Sequence, residues 1–167
     1  EPGADSVQGG DRVCEAEGGC EVWVGRGNGS TGLRCEMEFT NNWFDPHIPT
    51  WNRIVPQYNP SKILEVGSYE GRSICHVIEL LGSQKALEIV CVDTWSGGRE
   101  HADIDMGSVE RRFDANVGEA ISKANQPVAV KKMKGESCLA LSALVAEGQS
   151  NYFDMVYIDG SHEAPDV

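Results

Sequence analysis

Basic residues are scarce in this chain: Lys and Arg number 14 against 26 Asp and Glu, a formal charge of -12. A field of that sign repels a phosphate backbone, so nucleic acid is not an expected partner. The one basic run, Lys131, Lys132 and Lys134, is too small to reverse the field and reads as a solvated strand edge. Long apolar runs are missing as well. None approaches the roughly 18 residues of a membrane span, and no charged-then-apolar leader precedes a small-residue cleavage site, so no membrane partner is expected. The cysteines include no C-x-x-C pair. Cys14, Cys20 and Cys35 fit no zinc spacing, though they could clip a tail, while Cys75, Cys91 and Cys138 fall in or beside core elements. Buried free thiols in a reducing, cytoplasmic compartment follow from that pattern. No G-K-[ST] is present, which excludes a P-loop NTPase. An initiator Met is lacking at Glu1, and Val167 falls where a helix is beginning. The chain therefore reads as a fragment at both ends, with a removed leader left open.

Of what is present, residues 1–37 are rich in Gly, Glu and Asp with little periodicity, and read as a low-complexity, weakly ordered tail. Inside it GNGSTG, residues 27–32, satisfies G-x-G-x-x-G after the apolar Val22, Trp23 and Val24. A dinucleotide site needs a helix next, to aim backbone amides at the pyrophosphate, and LRCEMEF offers neither a cap nor a helical stripe. From Phe39 the texture turns aromatic and Pro-punctuated. Ile48, Trp51, Val55 and Tyr58 recur at near-helical spacing, with Pro49 suited to a first turn, so a short helix is expected ahead of the first strand. Trp43, Phe44 and His47 are candidates either for core packing or for a pocket mouth.

Beyond Ile63 strand and helix alternate. Strands are expected at 62–66, 88–93, 127–133 and 153–159, with helices at 71–82, 107–124 and 137–147. Repeated βα units imply a doubly wound, mainly parallel sheet with right-handed crossovers. The apolar cores LEIVCV and FDMVYI suit strands buried on both faces.

The stretch KILEVGSYEGRS, residues 62–73, joins a buried strand to a helix through a glycine turn. That geometry places ligands at the carboxyl ends of parallel strands, with a plain βα loop as the rival reading. Three strands end in carboxylates, Glu65, Asp93 and Asp159, which lines one sheet edge with acids. Each taken singly could be a cap or turn former. Asp93 lies 22 residues beyond Gly71, the distance at which an acid on the next strand can accept both hydroxyls of a ribose. A dinucleotide fingerprint from Gly67 would need glycine at positions 69 and 72, which are Tyr69 and Arg72.

On LEVGSYEGRS, VCVDTW, KGES and FDMVYIDGSH, in that order, the chain resembles the class I S-adenosylmethionine-dependent methyltransferases. The likeness makes residues 38–167 the N-terminal part of a Rossmann-like methyltransferase domain, incomplete with about four strands. It implies that Glu65 and the backbone of Gly67, Ser68, Tyr69 and Gly71 hold the methionine end of the cofactor. It implies Asp93 and Thr94 at the ribose, and Trp95, Glu136 and Ser137 around the adenine. Carboxylates suit a sulfonium and an ammonium, and an aromatic face suits an adenine ring. Ser137 could also cap the helix that follows.

The end, VYIDGSHEAPDV, resembles the metal-assisted small-molecule O-methyltransferases. That likeness implies Asp159 as a ligand for Mg²⁺ or another divalent cation, and His162 as the base three positions on, where the family often has Lys. His162 as a polar residue ahead of a helix near Pro165 is the plain alternative. The expected function is methyl transfer from S-adenosylmethionine to a small-molecule acceptor, at oxygen. The rivals are a nicotinamide-dependent reductase and a non-catalytic module binding an adenosine ligand. An open fourth strand also makes self-association through the sheet edge an expectation.

Overall fold

A computed structural model describes residues 12–13, 20–25, 36–98 and 101–160. One sheet runs through it, built from β1 (Arg12–Val13), β2 (Cys20–Gly25), β3 (Lys62–Val66), β4 (Leu87–Asp93), β5 (Val128–Lys134) and β6 (Met155–Ile158). The strand order is β1-β2-β5-β4-β3-β6. The four strands β5, β4, β3 and β6 are parallel, and β2 and β1 add to the β5 edge in antiparallel fashion. Four helices connect them: α1 (Ile48–Tyr58), α2 (Arg72–Leu81), α3 (Met106–Lys123) and α4 (Ser137–Ala146). Among the described residues no helix is long and apolar enough to cross a membrane.

The helices divide between the two faces, as a doubly wound sheet requires. In α2 the buried Ile74, Val77, Ile78 and Leu81 repeat at helical spacing, giving one apolar stripe against the sheet. They join Trp51 and Val55 of α1, Val109, Phe113 and Val117 of α3, and Ile63, Ile89 and Val130 of the strands in one core. On the opposite face Leu64, Val66, Val90 and Val92 pack with Ala140 and Leu144 of α4. Alternate residues of β3 and β4 thus feed two cores, which is why both strands read as nearly continuous apolar runs.

Chain order fixes where a ligand can enter. The strands step from β3 to β4 to β5 in one direction and then return to β6 on the other side of β3. At such a switch point the loops leave in opposite directions and open a crevice at the carboxyl ends of the strands. In this chain the switch point falls between β3 and β6, beside Glu65 and Gly67.

Several expectations need correction. Residues 1–37 read as a weakly ordered tail, yet within them Cys20–Gly25 is a strand that pairs along its length with β5, and Trp23 packs on the core. Because β2 covers its outer side, β5 is not a sheet edge. Lys132 is accordingly no solvated residue: it is 3% exposed, bridged to Glu110 at 2.9 Å and Asp114 at 2.8 Å, with its ammonium 4.7 Å from the centre of the Trp95 ring. Cys75 and Cys91 are buried thiols, whereas Cys138 is exposed, because it lies on the outward side of α4. Tyr58 is exposed at the end of α1 rather than part of its buried stripe. The GNGSTG segment, Cys14, Cys35, His162 and the turn toward Pro165 lie outside the described residues.

Candidate functional site

Register brings the strand-end acids together. Val66 pairs with Val92 on one side and Ile158 on the other, so the next residues, Gly67, Asp93 and Asp159, leave the sheet at one level. Two backbone bonds carry the pairing beyond the strands, Gly67 N–H to the Val92 carbonyl and Asp159 N–H to the Val66 carbonyl, each 2.8 Å. Gly67 has φ 87°, and a Cβ there would lie 2.0 Å from the Asp159 carbonyl oxygen. Only glycine permits this crossing of the glycine turn under the end of β6.

Glu65 sits below that crossing and is 0% exposed. Its Oε1 accepts a hydrogen bond from the Ser73 hydroxyl on the first turn of α2. Its Oε2 and the Ser68 hydroxyl are both buried without a well-formed hydrogen bond among the described residues. Burial pushes the carboxyl up to about 7, the nearby Ser73 and Ser68 hydroxyls partly oppose this, and the charges of Asp93 and Asp159 add to it. A carboxyl buried beside two others pays a desolvation and repulsion cost on ionising, which a nearby positive charge would relieve.

Asp93 does something the sequence did not reveal. Its Oδ2 accepts the amides of Ser68 at 2.8 Å and Tyr69 at 2.9 Å, and its Oδ1 accepts the amide of Trp95 at 2.7 Å. Tyr69 and Trp95 both have left-handed backbone, φ 48° and 46°, a conformation that costs a non-glycine residue roughly 1–2 kcal/mol. One carboxylate therefore holds both strained residues in place. A carboxylate offers about four acceptor positions, so little of Asp93 is left over for a ribose.

Trp95 also departs from its expected place. It is 3% exposed, packs its ring on Phe113 at 4.9 Å, and donates its indole N–H to the Tyr69 carbonyl at 2.9 Å. It ties two loops together from inside the core and presents no face to an adenine. Thr94 is half-buried beside it. The Gly135 amide bonds the Asp93 carbonyl at 2.9 Å, which brings the turn at Glu136 and Ser137 to the end of β4. Glu136 occupies the N-cap position of α4 without a side-chain capping bond, so Ser137 is the first helical residue and not the cap.

Asp159 is exposed at the end of β6, and its Oδ2 accepts a hydrogen bond from the Tyr157 hydroxyl at 2.8 Å. Burial first, and then the Asp159 carboxylate, hold the Tyr157 phenol above its ordinary range.

Glu70 escaped notice in the sequence. It is buried in the middle of the glycine turn, where its oxygens accept the Thr40 amide and hydroxyl, both at 2.7 Å, and the Arg112 guanidinium at 2.6 Å. Buried Asn116 accepts the Glu38 amide and donates to the Glu38 and Glu70 carbonyls. Together they strap residues 38–40 across the turn. No local pattern marks these residues, because every partner is at least 30 positions away.

No curated protein sequence matches the chain. Among solved structures it is similar to the O-methyltransferase from Bacillus cereus in complex with SAH, at 19% identity and a TM-score of 0.40, over 76% of this chain and 48% of that one. It therefore spans about half the length of that protein. Residues 64–167 match the family model described as a methyltransferase domain. They begin on β3 and contain the glycine turn, Asp93 and Asp159, and on that match the chain belongs to the methyltransferase domain family.

Proposed function

We propose that this chain forms the cofactor-binding part of an enzyme that moves a methyl group from S-adenosylmethionine to a small acceptor, at an oxygen nucleophile. The carrying observation is Glu65: a fully buried carboxyl at the switch point, with an unused oxygen and the Ser68 hydroxyl beside it. S-adenosylmethionine, when bound, supplies an electrophilic methyl group on a sulfonium. Toward that ligand Glu65, in its ionised form, balances positive charge at the methionine end. Gly67 and Gly71 let the backbone approach closely, and Asp93 fixes the turn through its amides rather than serving chiefly as a ribose acceptor. Thr94, Glu136 and Ser137 border the β4–β5 end of the crevice. The bound reactants gain rate from being held in line and away from water.

At the other end, Asp159 is the acid placed to take a proton from the acceptor hydroxyl, with Tyr157 orienting its carboxylate. The divalent cation implied by the sequence does not fit as well. Among the described residues no group of three His, Cys, Asp or Glu could hold a metal ion, and hard cations need several oxygen ligands. His162 remains a candidate base by position alone. The charge of -12 supports a small acceptor over a nucleic acid, and β6, the outermost strand among the described residues, supports contact with a second copy.

Calorimetric titration with S-adenosylmethionine and S-adenosylhomocysteine tests the reading. Both should bind at pH 8, and Glu65→Gln should weaken the sulfonium ligand more than the neutral thioether. Failure of both to bind, with uptake of reduced nicotinamide cofactor instead, would replace this reading with the reductase.

A further inference from the structure

Three rings meet beside the glycine turn. Trp43 lies 5.2 Å from Tyr69 and 5.8 Å from His101, and Tyr69 stacks on His101 at 5.3 Å. The His101 ring is fixed in turn by the Gly98 amide, which donates to Nδ1 at 3.1 Å. Trp43 is nonetheless 58% exposed, while Trp51 and Trp95 are buried. A large apolar ring left in water on a rigid support needs an explanation. The support is rigid because the preceding residues, Glu38 and Thr40, are fastened by buried Asn116 and Glu70.

The position of the indole narrows its use. Phe44 packs on Trp51 at 4.9 Å, Trp51 packs on Tyr157 at 4.8 Å, and Tyr157 bonds Asp159. A chain of ring contacts through the buried Phe44 and Trp51 thus links the segment that carries Trp43 to the end of β6. Trp43 itself meets Tyr69, inside the glycine turn that follows β3.

We propose that Trp43, backed by Tyr69 and His101, is the platform that recognises the methyl acceptor, and that it selects a planar aromatic ring bearing no negative charge. The assignment rests on reading the crevice as the S-adenosylmethionine site. A flat indole face stacks on another ring. Ring faces attract cations, and the surrounding acids, Asp93, Asp159 and the overall charge of -12, disfavour an anion.

The test uses three probes with the protein saturated in S-adenosylhomocysteine: tyramine, with a ring and an ammonium; 4-hydroxyphenylacetate, with the same ring and a negative charge; and hexylamine, with the charge and no ring. Binding is read by tryptophan fluorescence and by calorimetry. Tyramine should bind about tenfold tighter than either of the others, with Trp43→Ala losing about that factor and Trp43→Phe restoring most of it. Affinity for S-adenosylhomocysteine should change by less than about twofold in both variants, which also reports that they fold. Equal binding of hexylamine, a preference for 4-hydroxyphenylacetate, or tyramine binding unchanged in Trp43→Ala would overturn the platform. If S-adenosylhomocysteine fails to bind while tyramine binding follows Trp43, the cofactor reading falls and the acceptor role with it, and Trp43 is left as a ring-binding surface of another kind.

Discussion

Glu65→Gln should make the protein more stable and less able to hold its cationic ligand, and the size of the gain should depend on pH. The Glu65 carboxyl titrates at about 7 in the folded chain against 4.5 as the ordinary value. Below 4.5 both folded and unfolded chains carry the proton, and the residue costs nothing through ionisation. Between 4.5 and 7 the unfolded chain releases the proton while the folded chain keeps it, so stability falls as pH rises, and above 7 the loss levels off. At 1.36 kcal/mol per pKa unit the full loss is about 3 kcal/mol. Glutamine keeps an acceptor for the Ser73 hydroxyl and has no proton to lose. Urea unfolding of both proteins at several values between pH 4 and pH 8 isolates this one group, since every other titration is common to both and cancels in the difference. That difference should grow by about 3 kcal/mol toward pH 8, or roughly 1.5 M in midpoint for an m-value near 2 kcal/mol/M. Any packing change made by the amide would appear as a constant offset. Parallel stability curves across the range would refute the claim that Glu65 is held protonated by burial.

Asp93→Ala should impair folding as well as binding, because three backbone amides lose their acceptor; a loss of about 2–4 kcal/mol is expected in urea unfolding, and an unchanged midpoint would show the turn is held by other means. Gly67→Ala should cost more than about 3 kcal/mol or prevent folding, since its Cβ would meet the Asp159 carbonyl at 2.0 Å on a left-handed backbone; circular dichroism and thermal melting read this directly. Replacing Val156 and Ile158 together with Lys should reduce self-association measured by sedimentation, because both are exposed apolar residues on the outermost strand among the described residues, Ile158 at 71%; identical sedimentation of the double variant would remove β6 as the contact.

The βα alternation was legible because buried parallel strands appear as apolar runs and the helices between them carry an apolar stripe. That sufficed for the bounds of β3 and, within about two residues, for the other parallel strands and the three helices that follow β3, β4 and β5. β2 was not legible for a different reason. Val22, Trp23 and Val24 look like strand, but what makes them one is a partner more than a hundred positions away on β5. The same limit applied inside the site. Position alone marked Glu65, Asp93 and Asp159 as acids on one edge, but their separate uses depend on distances that no spacing encodes. Glu65 is buried by α2, Asp93 is drawn under the turn amides, and Asp159 remains outside. Trp95 was misplaced because an aromatic residue after a strand-end acid suits a ligand face and a core plug equally well. Only Phe113 and Lys132, from elements far along the chain, decide between them.

The strap over the glycine turn has a consequence for how the site could change over time or in the laboratory. Apart from the Thr40 hydroxyl, Glu70 and Asn116 grip backbone groups of residues 38 and 40. The fastening is therefore nearly indifferent to which side chains the next few residues carry. Residues 41–43 can be exchanged like the bit of a tool whose chuck stays the same, with the Tyr69 and His101 rings that Trp43 touches feeling the change and the buried strap left in place. A library randomised at 41, 42 and 43 alone would vary the surface beside the glycine turn while Glu70 and Asn116 keep their grip on residues 38 and 40.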